Sequence, residues 1–201
     1  MAVSPETVYE DEASVIERLF EAGLSRYHIR KPRHSVDKVT ALLDGLPAVC
    51  RRRVVLHQHK ELVEPYQLGG YHIKDTTTAL SERGAWRADA APTGTTVSRS
   101  LHRICELDTD CHDWDYVFIS PVFNSISKSG YAAGWPVDIL EKSLSARYAN
   151  NATKRYALGG LHAGNFEQCL RMGFDGVVLH GALWRTSDPL AAFNDFQKIF
   201  V

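Results

Sequence analysis

Apolar positions along this chain switch back and forth between two periods. From Asp11 onward, Val15, Ile16, Leu19 and Phe20 recur at helical spacing, and Gly23 ends the run. Residues 25–29 then read as a strand. Ser35 is placed to cap a helix whose apolar positions are Val36, Val39, Leu42 and Leu43. Val54–Leu56 has the unbroken apolar character of a strand buried on both faces, and Gly70–Ile73 follows a short helical turn ending at Pro65. The alternation continues with a strand over 95–98, a helix around 102–107, the strand Tyr116–Ile119 and a helix over 138–149. A strand over 155–158, a helix over 163–172 closed by Gly173, and a strand over 176–179 follow. A last helix opens at Asp188 and Pro189, with proline in its first turn as its fixed φ favours. Ala2–Val3 is the stub of one more strand.

Strict strand-then-helix alternation with short connections implies parallel strands joined by right-handed crossovers. No Gly-x-Gly-x-x-Gly fingerprint follows the first strand, which argues against an open dinucleotide-binding sheet. The expectation is therefore an α/β protein of the TIM (β/α)8 barrel type, with its first strand short or degenerate. A chain of 201 residues sits near the lower size for such a barrel, roughly 200 residues. No internal linker or repeat breaks the pattern, so residues 1–201 are expected to form a single β/α barrel domain.

Composition narrows the partners. Apolar residues are 44% and charged residues 23%, an ordinary globular balance. Lys and Arg number 23 against 24 Asp and Glu, which gives no electrostatic case for nucleic acid or an anionic membrane. No run of about 18 apolar residues is present, and the start of the chain has no basic-then-apolar leader pattern. Cys50, Cys105, Cys111 and Cys169 form no Cys-x-x-Cys pair. They are expected to be reduced thiols in a cytoplasmic protein.

In a β/α barrel the reactive groups sit at the C-terminal ends of the strands. Those positions here carry His28, Arg30 and Lys31; His57, Gln58 and His59; His72, Lys74 and Asp75; Ser98, Ser100 and His102; and His180 with Gly181. His28, His57, His72, His102 and His180 are therefore candidate substrate-binding residues. Gly159-Gly160 and Gly181 follow successive late strands, where backbone N–H groups and the starts of the next helices can hold a phosphate. The stretch from Ser120 through Ser125 and Ser127 to Lys128 offers hydroxyls and a cation for a second anionic group. Arg30 and Lys31 could bind that same anion.

Nine histidines, against eight each of Phe and Tyr, add one alternative. His57 and His59, with His72 and His102 on neighbouring strand ends, have the spacing of a zinc-type site for a hydrolase. The competing reading makes His57 and His59 polar rim residues. His34, His112 and His162 read as surface.

The segments Tyr-His-Ile-Arg-Lys at 27–31, Gly-Tyr-His-Ile at 70–73, Ser-Arg-Ser-Leu-His at 98–102 and Tyr-Val-Phe-Ile-Ser-Pro-Val-Phe at 116–123 occur in one order. Ser127-Lys128, Ala-Leu-Gly-Gly-Leu at 157–161 and Gly-Val-Val-Leu-His-Gly-Ala-Leu at 176–183 continue it. Together they resemble the thiamine phosphate synthase family and its thiazole tautomerase relatives. The resemblance implies a β/α barrel transferase that joins a pyrimidine-methyl diphosphate to a thiazole phosphate and releases pyrophosphate. Its partners would be small phosphorylated heterocycles, with a homodimer as the candidate assembly. By position it implies that Arg30 and Lys128 grip the diphosphate, with Ser100 beside it, and that Ser125 and Ser127 hold the pyrimidine or the thiazole phosphate region. Gly159, Gly160 and Gly181 would hold the thiazole phosphate. A Mg2+ ion would bridge the diphosphate, with Asp75 as the nearest available carboxylate.

The chain departs from this pattern where Asn and then Asp are expected: His57 and Gln58 stand there instead. Magnesium wants oxygen ligands, so imidazole in place of carboxylate weakens such a site. Pro121 stands where the tautomerases carry a histidine. The alternative is an isomerase-like or phosphate-ligand-binding relative that lost the Mg2+-dependent reaction.

Overall fold

Strand pairing runs in chain order around the molecule. The computed structural model describes residues 1–7, 9–74, 79–88, 94–103, 106, 114–124, 135–145 and 153–199. Within them lie β1 (Ala2–Val3), β2 (Tyr27–Ile29), β3 (Val54–Leu56), β4 (Gly70–Ile73), β5 (Thr96–Leu101), β6 (Tyr116–Ile119), β7 (Lys154–Leu158) and β8 (Gly176–Val178). Each strand pairs in parallel with the next, in the order β1 to β8. The circle closes at β1. Ala2 bridges to Leu179, Val3 N–H donates to Leu179 O at 2.9 Å, and Leu179 N–H donates to Met1 O at 2.9 Å. This is the expected TIM-type barrel, and its first strand is indeed only two residues long.

The helices among the described residues are α1 (Glu12–Glu21), α2 (Val36–Asp44), α3 (Ala48–Arg51), α4 (Ala79–Ala88), α5 (Val137–Ser145), α6 (Phe166–Arg171), α7 (Gly181–Trp184) and α8 (Pro189–Gln197). None is long and apolar enough to cross a membrane. Side chains alternate along every strand, so the apolar residues fall into two clusters. Tyr27, Ile29, Val54, Leu56, Val97, Val117, Ile119 and Val177 point outward and pack with Ile16, Leu19, Leu43, Leu144, Phe166 and Phe193 of the helices. Val3, Tyr116, Phe118 and Val178 form a separate inner cluster, with Tyr156 and Leu158 packed against it.

Several boundaries differ from the periodicity for local reasons. β5 reaches Leu101 because Ser98, Arg99 and Ser100 alternate in direction, which polar residues hide from a hydrophobic pattern. α6 begins at Phe166 rather than near 163, because Asn165 Oδ1 accepts from His162 N–H at 2.9 Å and holds 162–165 in a turn. Ser35 occupies the N-cap of α2 without a side-chain hydrogen bond, whereas Asp188 caps α8 through Leu190 and Ala191 N–H. α4 and the single turn α7 were not legible, α4 because Gly84 and Ser81 dilute a weak apolar face. Of the helix expected over 102–107, only His102, Arg103 and Glu106 are described. Cys50 and Cys169 are buried free thiols; Cys105 and Cys111 lie outside the described residues.

One expected strand-end cation is committed elsewhere. Lys31 is buried, and its Nζ donates to Glu12 Oε2 at 2.6 Å and to Thr7 O at 2.7 Å. Tyr27 Oη donates to the other Glu12 oxygen at 2.9 Å. Lys31 therefore anchors α1 to β2 and is no ligand for an anion, correcting the sequence-based expectation. Removing one partner of a buried ion pair leaves an uncompensated charge, which typically costs about 3–5 kcal/mol. Lys31→Met is expected to lower the unfolding free energy by that amount in urea melts. Glu12→Gln with Lys31→Met should recover a substantial part of it, and equal stability of the parent and Lys31→Met would contradict the assignment.

Candidate active site

A cavity of about 1160 Å³ opens at the C-terminal ends of the strands. Many of the residues expected at those ends line it: Arg30, His57, Gln58, His72, Lys74, Ser100, His102, Gly159, Gly160, His180 and Gly181. Val3, Phe118, Leu158 and Val178 supply an apolar side. Asp75, Ser125, Ser127 and Lys128 lie outside the described residues.

The floor of the cavity is built from imidazoles. β2 carries His28 on its inner face, β4 carries His72, and His57 follows β3 directly; its N–H donates to Ile29 O at 3.1 Å, which continues the ladder. His28 Nδ1 and His57 Nε2 share a hydrogen bond at 3.0 Å, and His28 Nε2 meets Tyr116 Oη at 3.0 Å. His72 lies between two hydroxyls, Ser98 Oγ at 2.9 Å from Nδ1 and Ser100 Oγ at 3.1 Å from Nε2. The His57 and His72 rings stack with centroids 4.1 Å apart, and Phe118 packs against both His28 and His72. Two placements depart from expectation. His28 is fully buried beneath His57 and does not line the cavity, so it reaches a ligand only through its neighbour. His59 turns away, its Nε2 against His34 O at 3.0 Å, which breaks up the expected His57–His59 metal pair.

Burial sets the protonation of this cluster. It pushes His72 down to about 3, assisted by the charges of His102, Arg30 and Arg99. Burial first, and then His72, hold His28 and His57 well below the ordinary imidazole range. Burial also lifts the Tyr116 phenol to about 12. At neutral pH the floor is therefore a set of uncharged donors and acceptors.

The opposite wall is glycine. Gly159 and Gly160 adopt φ of +95° and +66°, a region that disfavours side chains. A Cβ on Gly160 would stand 2.6 Å from Phe123 O and 2.7 Å from Asn124 O, so only glycine lets this loop pack against the one after β6. Among the described residues nothing accepts from the Gly159 or Gly160 N–H groups. The α7 helix that Gly181 opens is only four residues long, so any anion there would be held by N–H groups and not by a long helix dipole. Sequence reasoning missed Arg185 and His162, which also line the cavity. Arg185 was hidden by the unrecognised turn α7, which places its guanidinium stem beside Gly181. Glu6 was missed as well; it pairs with Arg30 at the rim.

The magnesium that the resemblance implies does not fit the donors found here. His57 and Gln58 hold the expected ligand positions, and Gln58 Oε1 already accepts from Lys31 N–H at 3.0 Å. Among the described residues the one carboxylate on the cavity wall is Glu6, which is bound to Arg30. Imidazole and a committed amide are poor partners for a hard, oxygen-seeking ion.

A closed eight-strand barrel whose polar residues, cations and glycines gather at the C-terminal strand ends is the plan of a β/α-barrel enzyme. The family model described as thiamine monophosphate synthase matches residues 1–183, and the chain belongs to that family. The crystal structure of thiamine phosphate pyrophosphorylase from Bacteroides thetaiotaomicron superposes with a TM-score of 0.77 at 27% identity, covering 99% of this chain and 94% of that one. A thiamine-phosphate synthase from Actinobacillus succinogenes is 22% identical over 194 residues, 92% of this chain and 85% of that protein. One from Albidiferax ferrireducens is 31% identical over 78 residues, which span 39% of this chain and 34% of that protein.

The neutral histidines give the fold a pH signature. In the unfolded chain they titrate near about 6.5, while in the fold they resist protonation. The unfolded state therefore binds more protons below that pH. Stability is full above about 6.5 and falls as pH drops, by up to about 1.4 kcal/mol per pH unit for each histidine concerned. Urea melts of metal-free protein between pH 7 and pH 5.5 should show this loss, and His72→Gln should reduce it, with His28 and His57 supplying the remainder. A flat profile in the parent protein would contradict the neutral cluster.

Proposed function

We propose that this family member is a thiamine phosphate synthase-like transferase acting in the cytoplasm, with both substrates held in the cavity above the imidazole floor. The observation that carries the reading is the pairing, on one cavity, of a glycine wall with open N–H donors and a rim bearing Arg30 and Lys74. A thiazole phosphate would rest its phosphate on the Gly159, Gly160 and Gly181 N–H groups, near Arg185. A pyrimidine-methyl diphosphate would lie toward Arg30, with Lys128 as a further cation. About 1160 Å³ exceeds what one drug-sized ligand needs, roughly 300–1,000 Å³, so two small heterocycles fit the available space.

The chemistry follows from charge and position. As the bond between the pyrimidine methylene and the diphosphate oxygen breaks, pyrophosphate leaves with the electron pair. Arg30 and the other rim cations stabilise that developing charge. The thiazole nitrogen then forms the new bond to the methylene carbon, and its fixed approach replaces a bimolecular encounter. Glu6 must yield Arg30 to the incoming diphosphate. The neutral His72–Ser100 pair offers a hydroxyl beside the reacting groups without adding charge.

His57 and Gln58, in place of carboxylates, favour a second reading: a relative that binds the thiazole phosphate but no longer transfers the pyrimidine. Thermal-shift assays with each substrate separate the two. The transferase reading expects both ligands to raise the melting temperature, and thiamine phosphate to form from the mixture. A shift with the thiazole phosphate alone, and no product, would replace it with the second reading. Arg30→Ala is expected to lower kcat/KM by about 10–100-fold, the worth of one charge-assisted hydrogen bond. The position of Gly181 leaves ordinary space for a Cβ, 3.7 Å from Arg185. Gly181→Ala should therefore keep stability while weakening the thiazole phosphate.

A further inference from the structure

We propose that His28, His57 and His72 form a binding site for one borderline divalent cation of the zinc class, with an open coordination position facing the cavity. One ring nitrogen from each lies within 4.8 Å of the others. Two imidazole nitrogens on a tetrahedral ion with bonds of 2.0–2.1 Å stand about 3.3 Å apart. His28 Nδ1 and His57 Nε2 already face each other at 3.0 Å, sharing a single proton that an ion would replace. The His57 and His72 rings, now stacked 4.1 Å apart with an interplanar angle of 19°, must tilt out of that stack for both to turn a ring nitrogen to the same ion.

The surroundings have the form such a site needs. Ligating histidines are oriented by partners on their other nitrogen. His28 Nε2 is held by Tyr116 Oη at 3.0 Å, and His72 Nδ1 by Ser98 Oγ at 2.9 Å. Those contacts leave His28 Nδ1 for the ion, and His72 Nε2 would exchange its Ser100 Oγ contact at 3.1 Å for it. Phe118 closes the apolar side of the cluster, while His57 and His72 reach the cavity wall and give an entry path. Three protein ligands with a fourth position open is the pattern of reactive zinc sites, not of closed structural ones. Imidazole selects zinc, cobalt or nickel over magnesium, consistent with the misfit of the donors to magnesium.

Arg30 and Lys74 share the wall with these histidines, so the ion makes the floor strongly positive and calls for an anionic fourth ligand. A diphosphate oxygen meets that need. The ion site stands on geometry alone, whereas this fourth ligand rests on the function proposed above.

The test uses the whole chain freed of metal and titrated with Co2+ and then Zn2+, with excess Mg2+ as competitor. One ion per chain is expected, with cobalt absorption of a four- or five-coordinate site and X-ray absorption showing three imidazole ligands. His57→Ala, at the cavity wall, and His72→Ala should abolish the signal while circular dichroism shows an intact fold. Tyr116→Phe should weaken binding by about 10–100-fold. Failure of stoichiometric Zn2+ to bind, displacement by Mg2+, or parent-like binding by both histidine variants would overturn the site. Inorganic pyrophosphate should shift the cobalt spectrum; an unchanged spectrum would overturn the open position. Thermal shifts of metal-free protein with the two phosphorylated substrates report on the function independently.

Discussion

The barrel depends on the backbone hydrogen bonds that two residues of β1 make on both sides. Ala2 and Val3 pair with Tyr27 and His28 on one side and with Leu179 on the other. Without that closure β2 and β8 would be free edges, each a row of unpaired donors and acceptors. With it, every strand gains an inside and an outside, and a two-residue period in the sequence becomes a partition between two compartments. The outer compartment is conventional: branched and aromatic residues meet the helices and supply most of the apolar burial. The inner one is unusual for the fold, because bulky aliphatic residues ordinarily fill it.

The interior is instead divided lengthwise. β1, β6, β7 and β8 contribute Val3, Phe118, Leu158 and Val178, whereas β2, β4 and β5 contribute histidine and serine and His57 follows β3. Burying so many polar groups is tolerable only if they satisfy one another. The Tyr116–His28–His57 chain and the Ser98–His72–Ser100 bridge do this. Those bonds fix ring orientations, burial keeps the imidazoles neutral, and the charged groups stand at the rim. The result is an uncharged floor beneath a mouth that carries Arg30 and Lys74.

The barrel class was legible because outward apolar residues repeat with the right periods and Gly159, Gly160 and Gly181 punctuate the late strands. The strand-end positions of Arg30, His57, His72, Ser100 and His102 were legible for the same reason. What escaped was whatever depends on pairing between distant elements. Lys31 looked like a free cation because nothing local shows that Glu12, nineteen residues earlier, lies over it. His28 looked like a ligand contact because its depth in the barrel is set by register with β1 and β3. His57 and His59 looked equivalent, yet His59 adopts φ of +58° and turns out of the site. Arg185 and Glu6 were missed because neither stands at the end of a strand; a turn and an ion pair bring them to the cavity.

The lengthwise division also sets a rule for how a flat ring can lie. A heterocycle entering the cavity finds hydrocarbon along the Phe118, Leu158 and Val178 side and hydrogen-bonding groups along the His57, His72 and Ser100 side. Its nitrogen-bearing edge and its bare edge are therefore not interchangeable. Inverting the ring would press polar atoms onto aliphatic carbon and strand the imidazoles. The barrel thus chooses which edge of its guest faces which strand before any charged group at the mouth is engaged.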